Sequence, residues 1–167
     1  MKPKNKLFDF AIVATKPKDR LKAVEKLISS NKIRFLRAVD IEPDTKLEFA
    51  RSKGIQITAD FADVLNDPAL EAIVLATPHS MHEQQIIATA KAGKHVFCEK
   101  PLALTLASAQ RSVDACKEAK VVLGVGHERR FEPAMQEIAR LIENDELGEI
   151  MHVEANFSHD KLANLET

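Results

Sequence analysis

Short runs of apolar and β-branched residues alternate along the chain with longer amphipathic stretches. The short runs predict strands near residues 8–14, 33–40, 55–58, 71–76, 94–98 and 121–125. The longer stretches predict helices over residues 17–29, 43–53, 60–66, 80–92 and 105–119. Gly54 and Gly93 follow helical stretches as C′ residues, and Ser80-x-x-Glu83 predicts a capping box. Strands that alternate with helices are typical of βαβ units, so we predict an α/β fold with a doubly wound parallel sheet.

The pattern changes after Val125. Glu132-Pro133 predicts the start of a helix that runs to about Glu143, and the alternation of apolar and polar residues over 147–158 predicts a half-buried strand. That strand needs a partner sheet, and no further strand follows it in the sequence. We therefore expect a first domain over residues 1–125. Residues 126–167 then hold a linker helix and only the start of a second α+β domain, as in an amino-terminal fragment of a longer protein.

Composition describes an ordinary globular protein. The 167 residues are 45% hydrophobic and 29% charged with a formal net charge of −1, a balance that does not favour nucleic-acid binding. The basic first 22 residues either attract phosphate or form a solvated face. The apolar stretch 7–13 is too short for a signal peptide or a membrane span, so we expect a cytoplasmic protein. Cys98 and Cys116 lack a C-x-x-C or histidine-spaced partner and are predicted to be buried free thiols.

The predicted strand over 94–98 ends abruptly in an acid, a base and a proline: Glu99, Lys100 and Pro101. Proline cannot continue a strand ladder, so the chain must turn there. In open α/β sheets, ligands bind in the crevice beyond the carboxyl ends of the strands. The tripeptide therefore predicts a functional site, the alternative being a surface Glu–Lys pair at a strand end.

Three motifs in this order carry a family resemblance: Ala76-Thr77-Pro78-His79 with His82, then Glu99-Lys100-Pro101, then Gly126-His127-Glu128-Arg129-Arg130-Phe131. Over residues 34–160 the chain resembles the glucose-fructose oxidoreductase, inositol dehydrogenase and rhizopine-catabolism (Gfo/Idh/MocA) family. The resemblance implies a Rossmann-like dinucleotide-binding domain joined to a substrate domain. It also implies an NAD(P)-dependent dehydrogenase acting on a CH–OH group of a sugar, polyol or similar small molecule. Because the substrate domain is incomplete, we expect the chain alone to be inactive.

A dinucleotide fold normally has a glycine-rich turn after its first strand, where the backbone approaches the pyrophosphate. This chain has no glycine before Gly54, and the corresponding turn begins Ala14-Thr15-Lys16. The lysine charge and the threonine hydroxyl can replace the close backbone contact, so we predict that these residues contact the cofactor. A turn that merely caps a helix is the alternative.

Asp40 ends the second predicted strand, where a carboxylate accepts hydrogen bonds from the ribose hydroxyls and repels a 2′-phosphate. This favours NAD over NADP; the alternative is an Asp that begins the loop before Pro43. After the fourth strand, Thr77 and Pro78 are expected to line the nicotinamide-side ribose.

The resemblance extends the cofactor contacts to Ala76, His79 and His82, where His82 is the family's helix histidine, which is more often structural than catalytic. The pair His79-x-x-His82 has no third ligand at a suitable spacing, so we expect no metal.

Alcohol oxidation requires a proton to leave oxygen while hydride leaves carbon, and the protein must manage the proton. We assign Lys100 as the catalytic residue that binds the reacting oxygen, and Glu99 as the residue that positions the cofactor or the lysine. The resemblance implies a cis peptide bond before Pro101. Position 128 holds Glu where the family usually has Asn. Arg129 and Arg130 can each bind carboxylate or phosphate, and we place Arg129 among the cofactor contacts; the alternative is that one of the two arginines forms a structural ion pair.

Two other functions are compatible with the sequence. In the first, the glycine-free turn belongs to a non-catalytic nucleotide-binding or scaffolding domain. In the second, the chain is an assembly module that forms homo-oligomers by pairing the exposed strand near Met151 to Phe157.

Overall fold

The computed structural model describes residues 8–14, 33–40 and 55–156. Its main feature is a six-stranded sheet in the order β3-β2-β1-β4-β5-β6, in which every pair of neighbouring strands is parallel. The strands are β1 (Phe8–Ala14), β2 (Ile33–Asp40), β3 (Gln56–Thr58), β4 (Ala72–Ala76), β5 (His95–Cys98) and β6 (Leu123–Val125). The α/β fold and the six strands predicted between residues 8 and 125 are confirmed.

Three helices connect the later strands: α1 (Phe61–Leu65), α2 (His79–Lys91) and α3 (Leu106–Glu118). The Asp60 side chain caps α1 by accepting a hydrogen bond from the Ala62 N–H. Thr105 and Ser108 form a reciprocal capping box at the start of α3. Gly93 follows α2 with φ of 71°, which confirms its predicted C′ position. The helices predicted over 17–29 and 43–53, and Gly54, lie outside the described residues.

The capping box predicted from Ser80 and Glu83 is wrong. Helix α2 begins at His79, with Pro78 as its N-cap residue and no side-chain cap. Because proline holds an extended backbone directly before the helix, Ser80 falls inside the first turn instead of preceding it. The Glu83 carboxylate accepts a hydrogen bond from Arg111 Nε at 2.5 Å and so links α2 to α3.

The core lies between the sheet and the helices. Ile73 and Leu75 of β4 and Ile86 of α2 are completely buried, and α2 packs against α3 and β5. In β5 the side chains alternate, since Val96 and Cys98 are buried whereas Phe97 is 43% exposed. The remaining buried members of this core are Ala11, Val64, Leu70, Ala90 and Cys116. This packing fixes the position of the strand ends beyond which the site is built.

Residues 128–167 pack as a separate unit from residues 1–127, close to the predicted domain boundary at 125. The described part of this unit holds a 3₁₀ turn (Glu128–Phe131) and the helix α4 (Pro133–Glu143), which starts at Pro133 as predicted. The strand predicted over 147–158 is wrong for its described residues, since 147–156 form turns and irregular backbone. A strand needs a neighbour for its backbone N–H and C=O groups, and the described residues of this unit supply none.

Among the described residues, no helix is long and apolar enough to cross a membrane.

Candidate functional site

The carboxyl ends of five adjacent strands form one row. In the strand register Ala14 lies opposite both Asp40 of β2 and Ala76 of β4. The ladder continues past β5, where the Glu99 N–H donates to the Leu75 carbonyl at 2.9 Å. It continues past β6 in the same way, where the Gly126 N–H donates to the Cys98 carbonyl at 2.8 Å. The candidates Asp40, Ala14, Ala76 and Glu99, far apart in sequence, therefore reach the same edge of the sheet.

The row contains a topological switch point. The chain runs outward from β1 to β2 and β3, and then returns to place β4 on the other side of β1. Connections that leave neighbouring strands in opposite directions open a crevice at the carboxyl ends of those strands. The crevice of this sheet therefore lies beyond Ala14 and Ala76, with Asp40 on one side of it and Glu99 on the other.

The structure describes only the backbone of Ala14 and Asp40, and Thr15 and Lys16 lie outside the described residues. The cofactor contacts predicted for these four residues stay predictions.

Glu99 and Lys100 directly follow β5 and lie in different environments. Glu99 is half-buried, whereas Lys100 and Pro101 are exposed. The peptide bond between Lys100 and Pro101 is cis, as the family resemblance implied. The Glu99 side chain lies over Gly126, since a Cβ atom added to that glycine would be 3.1 Å from Glu99 Oε2. Gly126 thus leaves the room in which the carboxylate sits, while the Lys100 ammonium faces solvent.

The turn after β4 presents one buried and two exposed candidates. Thr77 is buried, and its hydroxyl donates to Gln85 Oε1 of α2 at 2.5 Å. Pro78 and His79 are exposed and follow directly. Because the Thr77 proton is used within the protein, its hydroxyl oxygen can only accept a hydrogen bond from a ligand.

His82 does not face the crevice with a free nitrogen. It is 1% exposed, with Nδ1 2.9 Å from the Pro101 carbonyl oxygen and Nε2 2.9 Å from the Thr77 carbonyl oxygen. Each ring nitrogen therefore lies against a backbone carbonyl oxygen, and neither is open to the crevice. We correct its expected place among the cofactor contacts to a supporting position behind the two loops.

Arg129 belongs to the second packing unit, where its Nη1 donates to Glu132 Oε1 at 3.2 Å. The sequence left open an ion pair for one of Arg129 and Arg130, and Arg129 forms one; both side chains of the pair are exposed. Its cofactor contact stays a prediction.

Both cysteines are buried free thiols, as predicted. Burial, with the Glu99 charge as a smaller cause, raises the pKa of the Cys98 thiol to about 12. Burial also raises the pKa of Cys116. Thiols held in this protonated state are poor nucleophiles, so we assign both cysteines to the core and not to the reactive groups of the site. In the part of the chain that the structure describes, no group of three or more His, Cys, Asp or Glu residues could hold a metal ion.

Two residues that position the site were not among the predicted ones. Gln85 holds the Thr77 hydroxyl, and Gly126 makes room for Glu99. The signal for Gln85 was a polar side chain three residues after His82, on the face of α2 that packs inward. For Gly126 the signal was a glycine directly after a strand, where a close approach of neighbouring groups excludes a side chain.

The chain is similar to known proteins of one family. The model of the Gfo/Idh/MocA family, described as "Oxidoreductase family, NAD-binding Rossmann fold", matches residues 21–127. The chain is 34% identical over 110 residues to the myo-inositol 2-dehydrogenase of Thermotoga maritima, covering 65% of this chain and 33% of that protein. It is 36% identical over 115 residues to the scyllo-inositol 2-dehydrogenase (NAD(+)) of Bacillus subtilis, covering 68% and 33%. The chain thus spans about a third of the length of these relatives.

Solved structures agree with the sequence relatives. The WlbA dehydrogenase from Bordetella pertussis, in complex with NADH and UDP-GlcNAcA, has a TM-score of 0.76 and 27% identity. The match covers 86% of this chain and 44% of that one. A probable dehydrogenase from Thermotoga maritima has a TM-score of 0.77 and 29% identity, with coverage of 84% and 42%. With its parallel sheet, its row of strand ends and its matched residues, the chain belongs to the Gfo/Idh/MocA family of oxidoreductases and contains that family's NAD-binding Rossmann domain.

Proposed function

We propose that this chain binds NAD(H) beyond the carboxyl ends of β1 and β4, as the cofactor domain of an oxidoreductase acting on a sugar or polyol hydroxyl. The observation that carries the proposal is the single row formed by Asp40, Ala14, Ala76 and Glu99 at the switch point of the sheet. The substrate class rests on the relatives, which are named for inositols. The full reaction belongs to a protein that also carries a substrate domain.

Asp40 is proposed to read the adenosine ribose. It ends β2 in register with Ala14, one strand away from the switch point. A carboxylate at this place accepts hydrogen bonds from the ribose 2′- and 3′-hydroxyls and repels a 2′-phosphate. This supports NAD as the preferred cofactor.

Lys100 is proposed to act on the substrate oxygen. When bound, the nicotinamide supplies the hydride acceptor, and the chain must provide for the proton and the developing negative charge. The exposed ammonium of Lys100 can donate to the reacting oxygen and stabilise alkoxide charge, because it lies at the strand end and is not buried in the protein. Half-buried Glu99, held over Gly126, is proposed to position the lysine or the cofactor.

Titration of the chain with NADH and NADPH, followed by nicotinamide fluorescence, tests the cofactor assignment. We expect NADH to bind more tightly. Asp40→Ser should weaken NADH roughly tenfold, the effect of losing about 1.4 kcal/mol of hydrogen bonding, and should reduce the discrimination against NADPH. Asp114→Ser, the same change on the exposed face of α3, should leave both affinities unaltered.

Two results would count against the proposal. An unchanged preference in Asp40→Ser removes Asp40 from cofactor selection. A chain that gives no response to either nucleotide at millimolar concentration does not bind the cofactor, and a scaffolding function then replaces the dehydrogenase one. The cytoplasmic location and the self-association expected from the sequence stay predictions that this titration does not address.

A further inference from the structure

The buried face of α2 carries polar side chains at positions where a helix that faces a core usually carries apolar ones. His82, Gln85 and Thr89 follow one another at intervals of three and four residues, so they lie along one side of the helix. Each of them is at most 7% exposed. A buried amide such as that of Gln85 costs free energy unless hydrogen bonds replace its contacts with water. An apolar residue at position 85 would avoid this cost, so we expect the amide to serve something other than core packing.

The contacts of Gln85 show which group its side chain serves. The amide oxygen Oε1 accepts a hydrogen bond from the Thr77 hydroxyl at 2.5 Å. The backbone carbonyl of Gln85 accepts another from the Thr89 hydroxyl at 2.7 Å, a bond that stays within the helix. A threonine hydroxyl has a single proton, and that of Thr77 is used in the bond to Gln85. The Gln85 side chain thus reaches from α2 to the turn after β4 and fixes the direction of one hydroxyl group there.

The place of Thr77 in the fold makes the direction of its hydroxyl important. Thr77 directly follows Ala76, the strand end that borders the crevice, and it is 6% exposed. Its carbonyl oxygen lies 2.9 Å from His82 Nε2, so the backbone and the side chain of Thr77 are both contacted from α2. Once its proton is directed at Gln85, the hydroxyl oxygen has only lone pairs to offer. It can therefore accept a hydrogen bond from a ligand but cannot donate one.

We propose that Gln85 is a positioning residue that holds the Thr77 hydroxyl as a fixed hydrogen-bond acceptor for the cofactor. The ligand groups that suit this hydroxyl are donors, such as the hydroxyls of the nicotinamide-side ribose. An ionised carboxylate or phosphate oxygen is disfavoured at the same place, because it has no proton to donate and would meet the lone pairs of Thr77. That the ligand is the cofactor rests on the function proposed above, whereas the hydrogen bond between Gln85 and Thr77 does not.

NMR spectra of the full chain with ¹³C-labelled threonine, recorded without cofactor, test the hydrogen bond. A buried, hydrogen-bonded hydroxyl proton exchanges slowly with water, so we expect Thr77 to give a separate hydroxyl signal, assigned by its loss in Thr77→Val. In Gln85→Met this signal should merge with that of water. Gln84→Met, the same change on the exposed side of the helix, should leave it unaltered. Fast exchange of the Thr77 hydroxyl in the unaltered chain, or a separate signal that persists in Gln85→Met, overturns the hydrogen bond.

NADH titration followed by nicotinamide fluorescence tests the positioning role. We expect about tenfold weaker binding in Thr77→Val and in Gln85→Met, and an unchanged affinity in Gln84→Met. The double variant of Thr77→Val with Gln85→Met should bind no more weakly than Thr77→Val alone, because Gln85 acts through that hydroxyl. Thr77→Ser keeps the hydroxyl and should retain the affinity of the unaltered chain.

Two results overturn the positioning role: additive losses of affinity in the double variant, or equal affinity in Gln85→Met and Gln84→Met. If Gln85→Met does not fold, Thr77→Val compared with Thr77→Ser decides whether the cofactor uses the hydroxyl. The hydroxyl signal of the unaltered chain then decides whether that hydroxyl is held. A chain that does not respond to NADH overturns the function proposed above, and with it the cofactor as the ligand of Thr77. The hydroxyl signal still decides the bond between Gln85 and Thr77 in that case.

Discussion

Replacing Gly126 by alanine tests the contact that positions the Glu99 carboxylate. The added Cβ would lie 3.1 Å from Glu99 Oε2 and 3.3 Å from its Cδ, closer than ordinary van der Waals contact. Gly126 does not have a positive φ, so its backbone is compatible with alanine. The substitution therefore combines a favourable backbone effect with crowding at one identified side chain.

The two effects have opposite signs and can be compared. At a compatible position Gly→Ala stabilises a protein by about 0.4–1 kcal/mol, because it lowers the conformational entropy of the unfolded chain. Crowding in a packed region costs about 1–3 kcal/mol. We expect Gly126→Ala to lower the free energy of unfolding by about 1 kcal/mol. In a Glu99→Ala background, where Cδ and Oε2 are absent, the same change should stabilise the protein by about 0.5 kcal/mol.

Urea unfolding followed by circular dichroism, on the four proteins of this double-mutant cycle, measures the coupling. Gly124→Ala is the matched control, since its Cβ would meet the Phe97 ring at 3.1 Å and not Glu99. Its effect should be the same in both backgrounds. If Gly126→Ala changes stability by the same amount with and without the Glu99 carboxylate, the contact does not position that group and the reasoning is refuted.

Three further predictions concern two other buried groups, Lys94 and Cys98. Lys94 Nζ donates hydrogen bonds to the carbonyl oxygens of Asp67 and Leu70 at 2.6 and 2.9 Å. Lys94→Met should therefore lower the free energy of unfolding by about 2 kcal/mol, whereas exposed Lys91→Met should have almost no effect. Equal effects of the two substitutions would contradict a stabilising role of these hydrogen bonds. With its pKa at about 12, Cys98 has roughly one thiolate in ten thousand at pH 8, so iodoacetamide should label it only after unfolding, as shown by intact-protein mass spectrometry. Because this folded-state pKa lies above the usual value of 9.0, the folded protein retains a proton that the unfolded one releases, and stability should fall as pH rises from 9 towards 12.

The sequence determined the elements that depend on local pattern. β1 and β2 have their predicted bounds, 8–14 and 33–40, because each is a short run rich in apolar and β-branched residues. The end of β5 was also predictable from Glu99-Lys100-Pro101, since a charged pair followed by proline cannot continue a buried strand. The sequence was sufficient to predict those elements whose structure depends on residues close to one another along the chain.

Helix α2 shows where local patterns were not enough. Ser80 and Glu83 have the spacing of a capping box, yet Pro78 is the N-cap residue and Arg111, from another helix, binds the glutamate. The alternation over 147–158 likewise predicts a strand, but pairing depends on a neighbour that the described part of that unit does not contain. For Glu83 and for residues 147–156, a partner distant in sequence, present or absent, decided the outcome.

By itself, the sequence determined that this chain is a parallel α/β domain with charged residues at one strand end and a recognisable family. Only the tertiary structure decided that Asp40, Ala14, Ala76 and Glu99 lie in one row, because that depends on strand order and register. It also decided the role of His82. A histidine on a helix has many potential partners, and only folding brings the carbonyls of Thr77 and Pro101 to its two ring nitrogens.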